Sequence, residues 1–98
     1  MKIYIAGQVT GLERDKVEKG FKRGETLLRS MNHEPVNPLD YIPPTYSQKD
    51  AMKFLVPLML TCDGVLMLMN WELSEGAKIE FALAYYTGLA VMLEEDFE

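Results

Sequence analysis

Sulfur and imidazole chemistry are almost missing from this chain: Cys62 is its only cysteine and His33 its only histidine. A single cysteine excludes an intramolecular disulfide and fits a reducing, cytoplasmic setting. No Cys/His cluster offers a transition-metal ligand set, and one histidine in the turn before residue 34 leaves no Ser-His-Asp arrangement. Neither a metal nor an organic cofactor is therefore expected. Positive charge is also scarce, with 10 Lys and Arg against 15 Asp and Glu and a net charge of -5. Displacing counterions from a polyphosphate needs a basic surface, so a nonspecific nucleic-acid binder is excluded. A small anion held by backbone amides is not. No apolar run approaches the roughly 20 residues of a membrane span. The opening MKIYIAG reads as a strand rather than an apolar signal segment, so no membrane association is expected.

What remains is a chain with 48% apolar residues and both charge signs interspersed, the composition of one folded domain. Lys2 to Ala6 is strand-like, rich in β-branched and aromatic residues. Val17, Phe21, Gly24, Leu28 and Met31 recur at helical spacing over about Asp15 to Met31, and Asn32 fits the stop. Gly20 and Gly24 weaken that helix, which we take as the cost of lying close to a sheet. A short strand, Glu34 to Asn37, follows. The irregular stretch Pro38 to Tyr46 reads either as a cover over a site, with Tyr41 and Tyr46 as stacking surfaces, or as a proline-stiffened connection. Ser47 to Asp50 resembles a capping box that opens a helix to about Thr61, and Pro57 is expected to kink or split it. Gly64 to Met69 is a continuous apolar run, typical of a strand covered on both faces. A helix from Glu75 to about Thr87 stops at Gly88. Leu89 to Leu93 forms a last strand, and residues 94–98 form an acidic tail expected to fray.

The order βαβαβαβ predicts an α/β fold: a small doubly wound, flavodoxin-like parallel sheet with helices on both faces. Its expected strand order is 2-1-3-4, with the switch point between the first and third strands. The loops Gly7 to Gly11 and Asn70 to Gly76 would then converge on one crevice, where ligands of such sheets sit. Gly7 and Gly11 allow close backbone approach, with Gln8 and Thr10 between them. Ser74 and Gly76 at a helix start either hold an anion or form an ordinary N-cap. Asn70 and Trp71 either hydrogen-bond and stack on a base, or Trp71 simply closes the edge of the core. Asp63, at the entrance of the third strand, is expected to brace a neighbouring loop. Glu80 stands in a largely apolar helix; it is either a nucleophile or stabiliser of a sugar cation, or a carboxylate reaching solvent.

Taken together, KIYIAG, HEPVNP, CDGVLML and NWELSEGAKIEFALA resemble the nucleoside 2-deoxyribosyltransferase-like superfamily, closest to its short, largely uncharacterised bacterial and phage branch. These pieces cover nearly the whole chain in the right order, and the S-x-G-x-x-x-E spacing from Ser74 to Glu80 is their most specific element. The resemblance implies that Glu80 attacks the anomeric carbon of a nucleoside or nucleotide, and that Tyr4 holds it in place. Ser74 matches the serine with which the nucleotide N-hydrolase relatives contact a 5'-phosphate. The resemblance further implies a homo-oligomer, since the superfamily builds its sites at subunit interfaces. One departure is marked: the carboxylate that protonates the leaving base falls at Leu55, with Asp50 only a distant substitute. The expected activity is N-glycosidic hydrolysis or deoxyribosyl transfer; the alternative is a non-catalytic binder of nucleotides or nucleotide-like signals.

Overall fold

In the computed structural model, which describes residues 1–97, the strands are β1 (Lys2–Ala6), β2 (Glu34–Val36), β3 (Gly64–Met67) and β4 (Ala90–Leu93). The helices between them are α1 (Arg14–Ser30), α2 (Gln48–Leu60) and α3 (Glu75–Tyr86). All strand pairs are parallel and the order is β2-β1-β3-β4, as the element order predicts. β1 and β3 are the inner strands, with Tyr4 paired to Val65 and Ala6 to Met67. From β1 the chain steps outward to β2, then crosses back over β1 to β3, so the winding reverses between β1 and β3.

The pleat sorts side chains between two cores. Ile3, Ile5, Leu66 and Leu68 point to one face, where Val17, Phe21 and Leu28 of α1 cover them. Tyr4, Ala6, Val65 and Met67 point to the other, against Leu55 and Met59 of α2 and Ala77 and Ala84 of α3. Alternation with period two thus places one tyrosine, in a strand otherwise apolar after Lys2, beneath α2 and α3.

Close approach on the α1 side depends on two glycines. A methyl group on Gly24 would lie 3.1 Å from Leu68 Cδ2 and 3.3 Å from Ile5 Cγ2, so α1 rests tightly on the sheet there. At Gly7, just past β1, it would lie 2.7 Å from Leu68 Cδ1. Gly20 has no such role, because only the Arg23 guanidinium comes as near as 4.0 Å. The expectation that both helix glycines serve sheet contact therefore holds for Gly24 alone. Helix ends follow their sequence signals: Asn32 has φ 62° just beyond α1, and Gly88 has φ 82° just beyond α3.

Two expectations are corrected. Of the kink or split expected at Pro57, the split does not occur: α2 continues through Pro57 as one helix. Pro57 and Lys53, whose carbonyl loses its partner, are both exposed, so water can satisfy the freed group. The acidic tail does not fray over its described part. Glu94–Phe97 forms a 3-10 turn in which Glu94 is only 4% exposed. Its carboxylate accepts from Arg23 Nε at 2.5 Å, from Arg23 Nη2 at 3.0 Å and from the Met69 N–H at 2.9 Å. Glu98 lies outside the described residues. Among the described residues no helix is long and apolar enough to cross a membrane.

Candidate functional site

At the carboxyl ends of β1 and β3, where the winding reverses, a cavity of about 120 Å³ opens between the loop after β1, the 38–46 stretch, α2 and the first turns of α3. Tyr4 and Glu80 stand in its wall. The Tyr4 hydroxyl donates to Glu80 Oε2 at 2.6 Å, joining the inner strand to the second turn of α3. The pair is buried, with Tyr4 1% and Glu80 5% exposed. Burial raises the Glu80 pKa and the Tyr4 hydrogen bond opposes that rise; the result is about 7. Burial, then the adjacent carboxylate, pushes the Tyr4 phenol far above its usual range, so it stays a proton donor to Glu80.

The start of α3 supplies the next part of the wall. Ser74 Oγ accepts from the Ala77 N–H at 3.1 Å, an N-cap that leaves the hydroxyl proton free to donate. Gly76 follows, where a methyl group would sit 3.3 Å from Gln48 Nε2 and 3.4 Å from Met52 Sδ. Its lack of a side chain lets the first turns of α2 and α3 approach across the cavity. Ser47 caps α2 through the Asp50 N–H at 3.1 Å.

Of the residues singled out from sequence, Tyr4, Gly7, Thr10, Ser74, Gly76 and Glu80 share this cavity. Gln8, Gly11, Asn70 and Trp71 stand outside its wall. The Gln8 N–H donates to Asn70 Oδ1 at 3.2 Å, so these two residues tie the loops after β1 and β3 together. Gln8 Nε2 turns back to the Thr10 carbonyl, and Gly11 adopts φ 90° in the same turn. Trp71 stacks on Phe81, ring centres 4.8 Å apart, and closes an edge of the core. Tyr46 reaches the cavity and Tyr41 does not. Asp63 accepts from the Lys2 N–H at 2.8 Å and braces the start of β1.

Several wall residues carried no sequence signal. Arg14 is one, an arginine at the first turn of α1 that pairs with Glu18 at 3.1 Å. Ile42, Pro43 and Pro44 belong to the stretch read as a cover or a connection, but its lack of periodicity hides which of its side chains turn inward. Asn37 positions that stretch. Its Oδ1 accepts from the Leu39 N–H at 2.9 Å, while its Nδ2 donates to the buried Glu25 at 3.0 Å. Burial opposes ionisation of Glu25, but Asn37, Lys22 and Arg29 outweigh it and lower its pKa. Leu55 faces the cavity where the resemblance expects a carboxylate, and Asp50 stays outside. No group of three metal-ligating side chains occurs among the described residues.

A family model described as a domain of unknown function, DUF4406, matches residues 1–93. The chain belongs to the DUF4406 family. No curated protein matches it. In this DUF4406 chain the conspicuous chemical feature is one buried carboxyl group, titrating near neutrality and facing a mainly apolar cavity.

Proposed function

We propose that the protein cleaves or transfers the N-glycosidic bond of a nucleoside or nucleotide, with Glu80 as nucleophile, as the resemblance to the nucleoside 2-deoxyribosyltransferase-like superfamily implies. The observation that carries this reading is the buried 2.6 Å contact between Tyr4 and Glu80 in a cavity at the switch point. A carboxylate there can attack the anomeric carbon and form a glycosyl ester, which water or a second base then resolves. Tyr4 fixes the carboxyl rotamer and stabilises its ionised form. Ser74, at the helix start, and Arg14 are the groups available to a 5'-phosphate. Gly7, Val9 and Thr10 are the parts of the first loop in the cavity wall and so available to the ligand.

The test is incubation with each deoxynucleoside and its 5'-monophosphate, with free base read by chromatography. Base release by wild-type protein and its loss in Glu80→Gln is the expected result. No release from any N-glycoside, neutral or cationic in its base, or equal release by the variant, overturns it.

Leu55 favours a second reading, a non-catalytic binder of nucleotides. That reading predicts saturable thermal stabilisation by a nucleotide without turnover. We further propose a cytoplasmic homo-oligomer. Ile79, Tyr85 and Tyr86 on the outer face of α3 support this, being 52%, 74% and 88% exposed in the single chain. Light scattering giving a monomer mass would refute that assembly.

A further inference from the structure

The cavity around Glu80 has an uneven chemistry. The ionisable side chains reaching its wall among the described residues are Tyr4, Arg14, Tyr46 and Glu80. Glu80 is the nucleophile in the reading above, and Tyr4 spends its proton on Glu80 at 2.6 Å. Arg14 cannot give up a proton, and its charge is balanced by Glu18. Tyr46 stands half exposed at the rim. The rest of the wall is largely Val9, Ile42, Pro43, Pro44, Met52 and Leu55.

Such a wall suits one kind of leaving group. A base leaving a neutral nucleoside departs as an anion unless an acid protonates it. An apolar wall beside a carboxylate disfavours that new charge. A base that is already cationic reverses the balance, because its departure removes charge. We infer that the substrates cleaved here are N-glycosides of a cationic base, a pyridinium or an N7-alkylated purine, whose base leaves as a neutral molecule without a proton donor. The inference rests on the N-glycosidic reading and narrows it to a substrate class. In the first step a Glu80 oxygen forms a bond to the anomeric carbon while the carbon–nitrogen bond breaks. The bonding pair passes to the ring nitrogen and cancels its charge. A cation and a carboxylate thus become a neutral base and a neutral ester, a change that a poorly polar cavity favours. Water then cleaves the ester, giving the free sugar, the Glu80 carboxylate and a proton released to solvent. Tyr46 and the thioether of Met52 offer polarisable surface for a cationic ring.

The experiment compares the purified protein on 7-methylguanosine 5'-monophosphate, its 2'-deoxy counterpart and nicotinamide mononucleotide with the unmethylated guanosine pair. Each rate is corrected for spontaneous release, and Glu80→Gln is run in parallel. General acid assistance is typically worth about 10²–10⁴-fold, so kcat/KM for a cationic substrate should exceed that for the neutral one by at least about 100-fold. That preference should vanish in Glu80→Gln. Rates within about tenfold for charged and neutral substrates overturn this inference and leave the N-glycosidic reading standing. Release from neutral substrates alone does the same. No Glu80-dependent release from any of them overturns both.

Discussion

Tyr4 and Glu80, 76 residues apart, meet through a hydroxyl–carboxylate contact of 2.6 Å beside the apolar core under α2 and α3. The contact couples the ionisation of Glu80 to the strand that bears Tyr4. Removing the donor should therefore weaken the protein most where Glu80 is charged. For Tyr4→Phe we expect a loss of about 1–3 kcal/mol at pH 8.5, the range for an unpartnered buried polar group. At pH 5.5, where the carboxyl is protonated, the loss should be smaller. Urea denaturation at the two pH values checks this.

The sign of the Glu80 contribution follows from its pKa, which rises from 4.5 to about 7 on folding. Between those values the folded protein holds a proton that the unfolded chain has released. Stability from this group is present below pH 4.5, falls as pH rises to about 7, and is flat above. The span is on the order of 3 kcal/mol. Glu25 and Glu94, both lowered, act oppositely: their contributions are present above pH 4.5 and are lost on acidification through their folded values. Glu80→Gln should abolish the decline between pH 4.5 and 7 and leave the acid limb intact, as thermal denaturation against pH can record.

Two glycine-to-alanine changes should move stability in opposite directions. Gly7→Ala drives a methyl group to 2.7 Å from Leu68 Cδ1 and 3.1 Å from its Cβ. Overpacking of that kind typically costs about 1–3 kcal/mol. Gly20→Ala sits in the middle of α1 with only a flexible guanidinium at 4.0 Å, and should gain about 0.4–1 kcal/mol. Urea midpoints of the two variants, read against wild type, would show the contrast.

Asn37→Ala should loosen the cover of the cavity. It removes the acceptor of the Leu39 N–H and a donor to Glu25, leaving Lys22 and Arg29 on that carboxylate. A loss of about 1–3 kcal/mol is expected. Amide exchange over residues 38–46 should quicken more than that of β1 or β3, and equal changes throughout would contradict a local role.

The sheet was legible because it rests on short-range pattern. Apolar runs at 3–6 and 64–68, helical spacing between them, and signals such as Asn32 and Gly88 suffice for element order, from which a doubly wound sheet of order β2-β1-β3-β4 is the expected arrangement. Boundaries moved only slightly: β3 ends at Met67, and Met69 is exposed. The tail, and which side chains of the cover turn inward, were illegible from local pattern. Glu94 looks like one of a run of solvated acids until Arg23, 71 residues earlier, is brought to it. Ile42 and Pro43 carry no period that could reveal an inward face. Pro57 does not split α2, because the hydrogen bond it removes falls on the wet side of the helix. At the site, the Ser74–Glu80 spacing marked two wall residues, whereas Gln8 and Asn70 proved to hold two loops together.

The division of β1 between two cores has a consequence for folding. Ile3 and Ile5 face α1, while Tyr4 and Ala6 face α2 and α3. A slip of one residue in β1 would exchange the two sets. It would send the Tyr4 hydroxyl into the apolar layer under α1 and leave Glu80 buried beside an isoleucine. Both errors are expensive, because each strands a buried polar group. The residues proposed for chemistry therefore also proofread the strand that carries them, and a chain that has closed this contact has its central strand in register.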